Sequence, residues 1–371
     1  MKSKENIIVL IFLLAIIILI FIPTGFQRPI YYNSENCKAR VLEVNNSNIY
    51  EVGHFRQGEQ LLKVEILSGS KKGEVTSAVN LLSGKLEEDT LATKGSIMML
   101  LIEKDDYGNI VHANTVDYYR LDYSIVLVLI FALALVAFSG YTGVKTLISF
   151  IFTILVLLKV LVPMMLKGFS PLATSIVIGF FITLATVLLI SGLNERSYSA
   201  ILATAISGLF TLFISVVFTR VMKIDGTVLP WAESLIYAGF EDLNLTGIFQ
   251  SAVYLSCLGA VIDLAVDIST ALWEIVENHP EVKRVNLIKS GMEIGRTVVG
   301  SQVTTLLLAY SGSYLSIIMV YMAQATPVLN ILTTKTISSE ILNTFVGALA
   351  LVLVAPITAL ISSYRFKKIE E

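Results

Sequence analysis

A chain of 371 residues that is 55% hydrophobic and only 15% charged is too apolar for an ordinary soluble domain, where about a quarter of residues carry charge. Its net charge of −2 gives no basic bias of the kind that binds nucleic acid, and its mean hydropathy of +0.75 comes from several long apolar runs. These predict a polytopic α-helical membrane protein of about eight spans, with a small β-rich domain after the first helix.

The first predicted span covers residues 7–22, behind a basic start at Lys2 and Lys4. No small-x-small cleavage site precedes Gln27, so residues 1–24 read as an uncleaved anchor rather than a signal peptide. Residues 25–121 then alternate polar and apolar positions in short runs at 39–44, 61–67, 74–79, 96–103 and 109–116. Glycine-containing turns such as SGSKKG and DDYGN separate some of them. About five short strands suit a small barrel, for instance one of OB-like form, which alone does not license nucleic-acid binding. Tyr118, Tyr119 and Arg120 sit where the next span begins and read as an interfacial anchor.

Residues 122–364 predict a bundle of seven helices, at 123–138, 147–166, 172–193, 200–222, 248–272, 298–322 and 341–362. Lys2, Lys4, Lys145, Arg196, Lys283, Arg284, Lys289, Arg296, Arg365, Lys367 and Lys368 fall on one side of an eight-span chain. The positive-inside rule makes that side cytoplasmic, with both termini and the tail 365–371 there. The β-rich domain then lies outside.

The strongest chemical signal is the stretch IFQSAVYLSCLGAVIDLAVDISTALWE, residues 248–274. On a helix, Ala252, Ser256, Gly259, Asp263, Asp267, Thr270 and Glu274 share one narrow face. Acids at membrane depth are expensive in lipid, so this face is expected against protein or a water-filled path. Asp263 and Asp267 are one turn apart and repel if both ionise, which suits a carrier of protons or cations. The structural alternative is a strut, each acid paired to a base on a neighbouring helix.

Lys159 is the lysine deepest in a span, four residues before Pro163. It could be the counter-ion of the two aspartates, or it could snorkel to the outer interface roughly 10 Å away. A second stripe, Glu293, Thr297, Gly300, Thr304 and Ser311, is suited to pack on the first. Arg296 beside it could pair with the acids of the sixth span or serve as a cytoplasmic anchor. The approaches AGFEDLNLTGIFQ and SGMEIGRTVVGSQ each place a Gln nine positions after a Glu, Glu241 or Glu293, which would suit an inverted repeat.

Cys37 and Cys257 fall at different levels, which argues against a structural disulfide. His54, His112 and His279 have no zinc-like spacing, and no metal or cofactor is expected. No P-loop, GxSxG or HExxH occurs, and the two best acids share one helix rather than forming a two-helix dyad. The chain is therefore not expected to be an enzyme.

The segments GLNERSYSAILATAISGL, LGAVID and GMEIGR, with the anchor–β-domain–bundle layout, resemble the YibE/F-like membrane protein family, in its YibE type. The resemblance extends over nearly the whole chain and carries over Asp263, Glu241, Glu293 and Arg296. The family pattern favours Asp after the Gly-Arg pair and Asn between two threonines, where this chain has Thr297 and Thr304. It tends to have Ser at the position of Asp267. The resemblance implies a bacterial plasma (inner) membrane protein, with a YibF-type partner or a second copy as its company besides the lipid bilayer. It supplies no substrate. The expected function is permease-like movement of a cation or proton-coupled solute between the sixth and seventh spans; the alternative is a scaffold that binds a partner through its outer domain.

Overall fold

The computed structural model describes residues 2–26 and 33–367. Gln27 and the tail from Lys368 onward lie outside the described residues. The chain divides into two compact units, Gln27–Leu135 and the combination of Met1–Phe26 with Val136–Glu371.

The first unit is a closed five-stranded barrel in the order β1-β2-β3-β5-β4. Its strands are β1 Ser34–Val52, β2 Phe55–Ile66, β3 Val75–Ser83, β4 Ile97–Lys104 and β5 Ile110–Tyr118. Alternation decides which side chains point inward. Met98, Leu100 and Ile102 of β4 meet Val64 and Ile66 of β2 and Ala39 and Val41 of β1 in a dry core. β1 carries two register shifts, at Val41/Glu43 and Asn45/Asn48, which bend it enough to pair with both β2 and β4. β1 and β2 run longer than the apolar runs suggested, because their ladder continues through polar residues to Val52↔Phe55. Cys37 is free and buried in this core, and burial pushes its thiol up to about 11, so it is unreactive.

One polar side chain is fully buried in the barrel. Gln60 donates to Ala92 O and to Asn46 Oδ1, both at 2.9 Å, and accepts from Ala92 N at 2.9 Å and Asn80 Nδ2 at 3.0 Å. Asn80 also donates to Thr90 O and accepts from Thr115 Oγ1. The network ties the long β3–β4 connection across the barrel. Tyr118 helps: its hydroxyl donates to Leu91 O at 2.7 Å, so it fastens this connection rather than acting only as an interfacial anchor. Tyr119 carries the Lys38 ammonium over its ring.

The second unit is helical. Its elements are α1 Lys2–Phe21, the later part of α2 Leu121–Val156, a π turn Leu157–Leu161, α3 Val162–Leu166, α4 Pro171–Ser191 and α5 Glu195–Val221. After a 3-10 turn at Gly226–Val228 follow α6 Ala232–Tyr237, α7 Leu245–Asn278, α8 Arg284–Ala323, α9 Val328–Thr333 and α10 Lys335–Phe366. Asn194 and Asn244 cap α5 and α7, accepting from Ser197 N and Gly247 N.

Among the described residues five helical stretches are long and apolar enough to cross a membrane, and the pair Arg284–Gly312 and Tyr314–Ala323, bent by 63°, makes a sixth if counted as one span. Ser311 and Gly312, a Ser/Gly pair of the kind that bends helices, precede the bend. Asn6–Phe21 is a shorter apolar helix. A loop was expected between residues 138 and 147. Instead Leu121–Leu166 continues as helix, interrupted at Gly140, whose φ of 55° and ψ of −130° are open to glycine alone. FSGYTG holds a second glycine, Gly143, which stays helical, and apolar residues follow on both sides.

Among the described residues two large cores organise the helical unit, with a smaller third at Ile224, Phe249, Val253, Leu342 and Val346. α1, the later part of α2, α3 and α4 interlock through Phe12, Ile16, Phe152, Ile182 and Leu189. α5, α7, α8 and α10 interlock through Leu212, Leu258, Ile268, Leu272, Leu306 and Leu351. Tyr254 of α7 sits in a slot between two glycines. A β-carbon at Gly179 of α4 would lie 2.5 Å from its hydroxyl, and one at Gly208 of α5 would lie 2.9 Å from its ring. Each end of the unit is tied polar-to-polar: Arg365 to Glu195 at 2.6 Å at one end, Asp225 to Lys335 at the other.

Candidate functional site

α7 supplies the site. Its buried residues occupy most of its circumference, with Val261, Ile262, Leu264, Ala265, Ile268 and Leu272 in contact with other helices. The remaining narrow face carries Ala252, Ser256, Gly259, Asp263, Asp267 and Glu274, and all six are exposed in the single chain. From Ser256 to Glu274 this stripe runs about 27 Å along the helix, close to the roughly 30 Å of a hydrocarbon core. The face is expected against protein or a water-filled path, and in the single chain it is open.

Asp263 borders a pocket of about 340 Å³ lined by Thr153 and Leu157, by Ile182 and Thr186 of α4, and by Ser256, Gly259 and Ile262 of α7. Ser149 and Thr186 share a hydrogen bond of 3.0 Å beside it. The pocket wall includes the start of the π turn. That turn follows from Pro163, which lacks an N–H: the ladder shifts, and Val162 N donates to Leu157 O five residues back. The local signal for this irregularity was Pro163 itself.

At the Ser256 end the stripe joins α10. Ser256 Oγ lies 3.2 Å from Asn343 Oδ1, and Asn343 hydrogen-bonds Glu340. Tyr310 of α8 closes the same corner: a β-carbon at Gly347 would meet Leu306, Cys257 and Tyr310. Glu340 and Asn343 escaped the sequence reading. The signal was present in SSEILNT, an acid and an amide three residues apart at the start of the last predicted span.

The other predicted residues are placed differently. Lys159 donates to Ile22 O at 3.3 Å, at the carboxyl end of α1, and is not brought into an ion pair with the aspartates. Arg296 pairs with Glu293 at 2.5 Å on its own exposed helix face and not with the acids of α7. Thr304 is exposed and donates to Gly300 O on its own helix. Glu241 is exposed in the non-helical connection before α7, whereas Glu293 is inside α8. The two matched approaches therefore differ in backbone, and the inverted-repeat reading falls.

The second stripe does not pack on the first. α8 meets its neighbours through Gly291 and Gly295, where a β-carbon would come within 2.7 Å of Ala359 and 2.8 Å of Ala355 on α10. Leu272 and Ile268 of α7 flank the same two glycines. Glu293, Thr297, Gly300 and Thr304 lie on the opposite face and are exposed. Small residues do pack the helices closely, but they are glycines two positions away from the nearest members of the expected stripe.

The helical part matches the family described as YibE/F-like protein, over residues 127–368. The chain belongs to the YibE/F-like family. No curated protein matches it, and no solved structure does. The match begins after the barrel, so it covers less than the nearly complete resemblance expected, yet it contains Lys159, Glu241, Asp263, Asp267, Glu274, Glu293, Arg296 and Thr304. The apolar helices of this YibE/F-like protein make it a membrane protein. Among its described residues no group of three or more His, Cys, Asp or Glu is placed to hold a metal ion.

Proposed function

We propose that this YibE/F-like protein is permease-like and non-enzymatic, moving a cation or proton-coupled solute along the α7 stripe. The observation that carries this reading is the uncovered acidic face of α7, which extends over about 27 Å with a pocket at Asp263. Ionisable groups at membrane depth mark substrate, ion or proton pathways. Asp263 is the binding residue, with Thr153, Thr186 and Ser256 offering hydroxyl oxygens around the same pocket. The path passes between α7 and the α2–α4 side, in place of the route between the sixth and seventh spans.

The membrane arrangement belongs to the same proposal. Leu121–Leu166 would measure about 70 Å, more than twice a bilayer core, so it counts as two spans divided at Gly140. With the bent pair as one span and the first helix as a short anchor, eight spans result. Both termini are then cytoplasmic in a bacterial plasma membrane, and the barrel is outside. The barrel order, closed between β1 and β4 with a parallel β3–β5 contact, is OB-like.

The exposed polar stripe of α8 favours a second reading, a membrane scaffold that joins another subunit. Proton uptake by the purified protein in liposomes, tested across a panel of cations, separates the two. Transport predicts uptake that Asp263→Asn abolishes at unchanged yield and melting temperature. No uptake in either protein, with the variant unstable, would sink transport in favour of the scaffold.

A further inference from the structure

The α7 stripe lacks one wall. α7 and α8 run antiparallel in step: Gly291 lies against Leu272 and Gly295 against Ile268. Cys257 and Leu306, which both approach Gly347, continue the same step. Counting along the two helices, Arg296 therefore lies at the depth of Asp267, Gly300 at that of Asp263, and Thr304 at that of Gly259. All six are exposed, and the α7 and α8 members occupy separate faces of one chain.

Two copies in the same membrane orientation keep every residue at its own depth. When the α7 face of one meets the α8 face of the other, residues of equal depth come together. An acid then faces a base, and a glycine faces a small hydroxyl residue. We propose that the polar path is completed by α8 of a second copy of this chain. Asp267 then faces the second copy's Arg296, and Asp263 faces its Gly300, Ser301 and Thr304. Gly259 and Gly300, which have no neighbour near a β-carbon position within the chain, allow the close approach. The Glu293 carboxylate does not exhaust the Arg296 guanidinium, which carries five N–H donors, so a second carboxylate can bind it.

This inference rests on reading the α7 stripe as a polar path, and its test is independent of transport. Gly259→Cys and Thr304→Cys chains with different tags are co-expressed and oxidised in native membranes. The expected result is a disulfide-linked dimer carrying both tags, absent when either variant is expressed alone and absent in wild type, whose two cysteines are buried. Asp267→Arg or Arg296→Asp should each lower the cross-linked fraction by about tenfold, and the two together should restore it. Because Asp267→Arg could fail to insert, Asp267→Asn is run beside it and should give a smaller loss in the same direction. A monomer in lipid nanodiscs with no cross-link overturns the proposal. So does a cross-link of Gly259→Cys to itself, or occupation of both faces by a different chain. Cross-linking without proton uptake leaves the assembly standing and removes the transport reading; uptake by a monomer does the reverse.

Discussion

The barrel and the helical unit treat polar side chains in opposite ways. In the barrel, Gln60 is fully enclosed and its donors and acceptors are matched to Asn46, Asn80 and Ala92. In the helical unit, buried Thr183, Thr211 and Thr358 are satisfied by a carbonyl one turn back on their own helix, while the acids of α7 stand on an uncovered face. A buried network that is complete explains itself by stability. Carboxylates exposed at membrane depth explain nothing about the stability of the single chain, which is why they point outward to a solute or another subunit.

The contrast predicts that polar substitutions damage the barrel and spare the bundle. Gln60→Ala should have the largest effect, about 3 kcal/mol or more in denaturant unfolding of the barrel. It leaves Ala92 N without its acceptor and one of the two Asn80 Nδ2 hydrogens unpaired, and it opens a cavity. A loss under 1 kcal/mol would mean that the network is not what secures the β3–β4 connection. Next comes a purely steric change in the helical unit. Gly179→Ala should cost about 1–3 kcal/mol, read as a fall in melting temperature, because the added methyl takes the place of the Tyr254 hydroxyl while Gly208 bounds the other edge of its ring. Tyr254→Phe in the same background should recover part of the loss, since the hydroxyl is the nearest atom.

Glu35 gives the pH-dependent case. It accepts from Lys104 Nζ at 2.7 Å and from Ser70 N and Oγ, and these partners, Lys104 first, lower its carboxyl from 4.5 to about 2. Folding therefore favours the ionised form. Its contribution is complete above about pH 4.5 and disappears as the pH falls towards 2. Glu35→Gln should destabilise the barrel by about 1–2 kcal/mol at pH 7 and have no effect near pH 2, by chemical denaturation across that range. The smallest effect is expected of Asp225→Asn. Its pair with Lys335 is about half exposed on both sides, so the change should stay within about 1 kcal/mol.

Much of this protein was legible in its residues. Long apolar runs have one low-energy solution in lipid, so the helical character of the bundle was readable from them, though not the continuity of Leu121–Leu166. Strand alternation marked the barrel, and the i, i+4 spacing put Asp263 and Asp267 on one face before any coordinates did. Gly140 and Pro163 were readable only in part. A glycine in FSGYTG is compatible with a loop as well as with a single non-helical residue, and a proline does not say whether a helix bends, stops or shifts to a π turn.

What the sequence by itself determined is therefore the class of each segment and the face on which its polar residues lie. Those depend on local periodicity and on the cost of burying backbone and charge. Only the tertiary structure decided which faces meet. It sent Lys159 to the end of α1, kept Arg296 with Glu293, packed α8 through Gly291 and Gly295, and drew Glu340 and Asn343 towards Ser256. Those choices depend on helix crossing and on the shapes of side chains far apart in the chain. A glycine packs wherever the facing helix leaves no space for a β-carbon, and no pattern within a single helix contains that information.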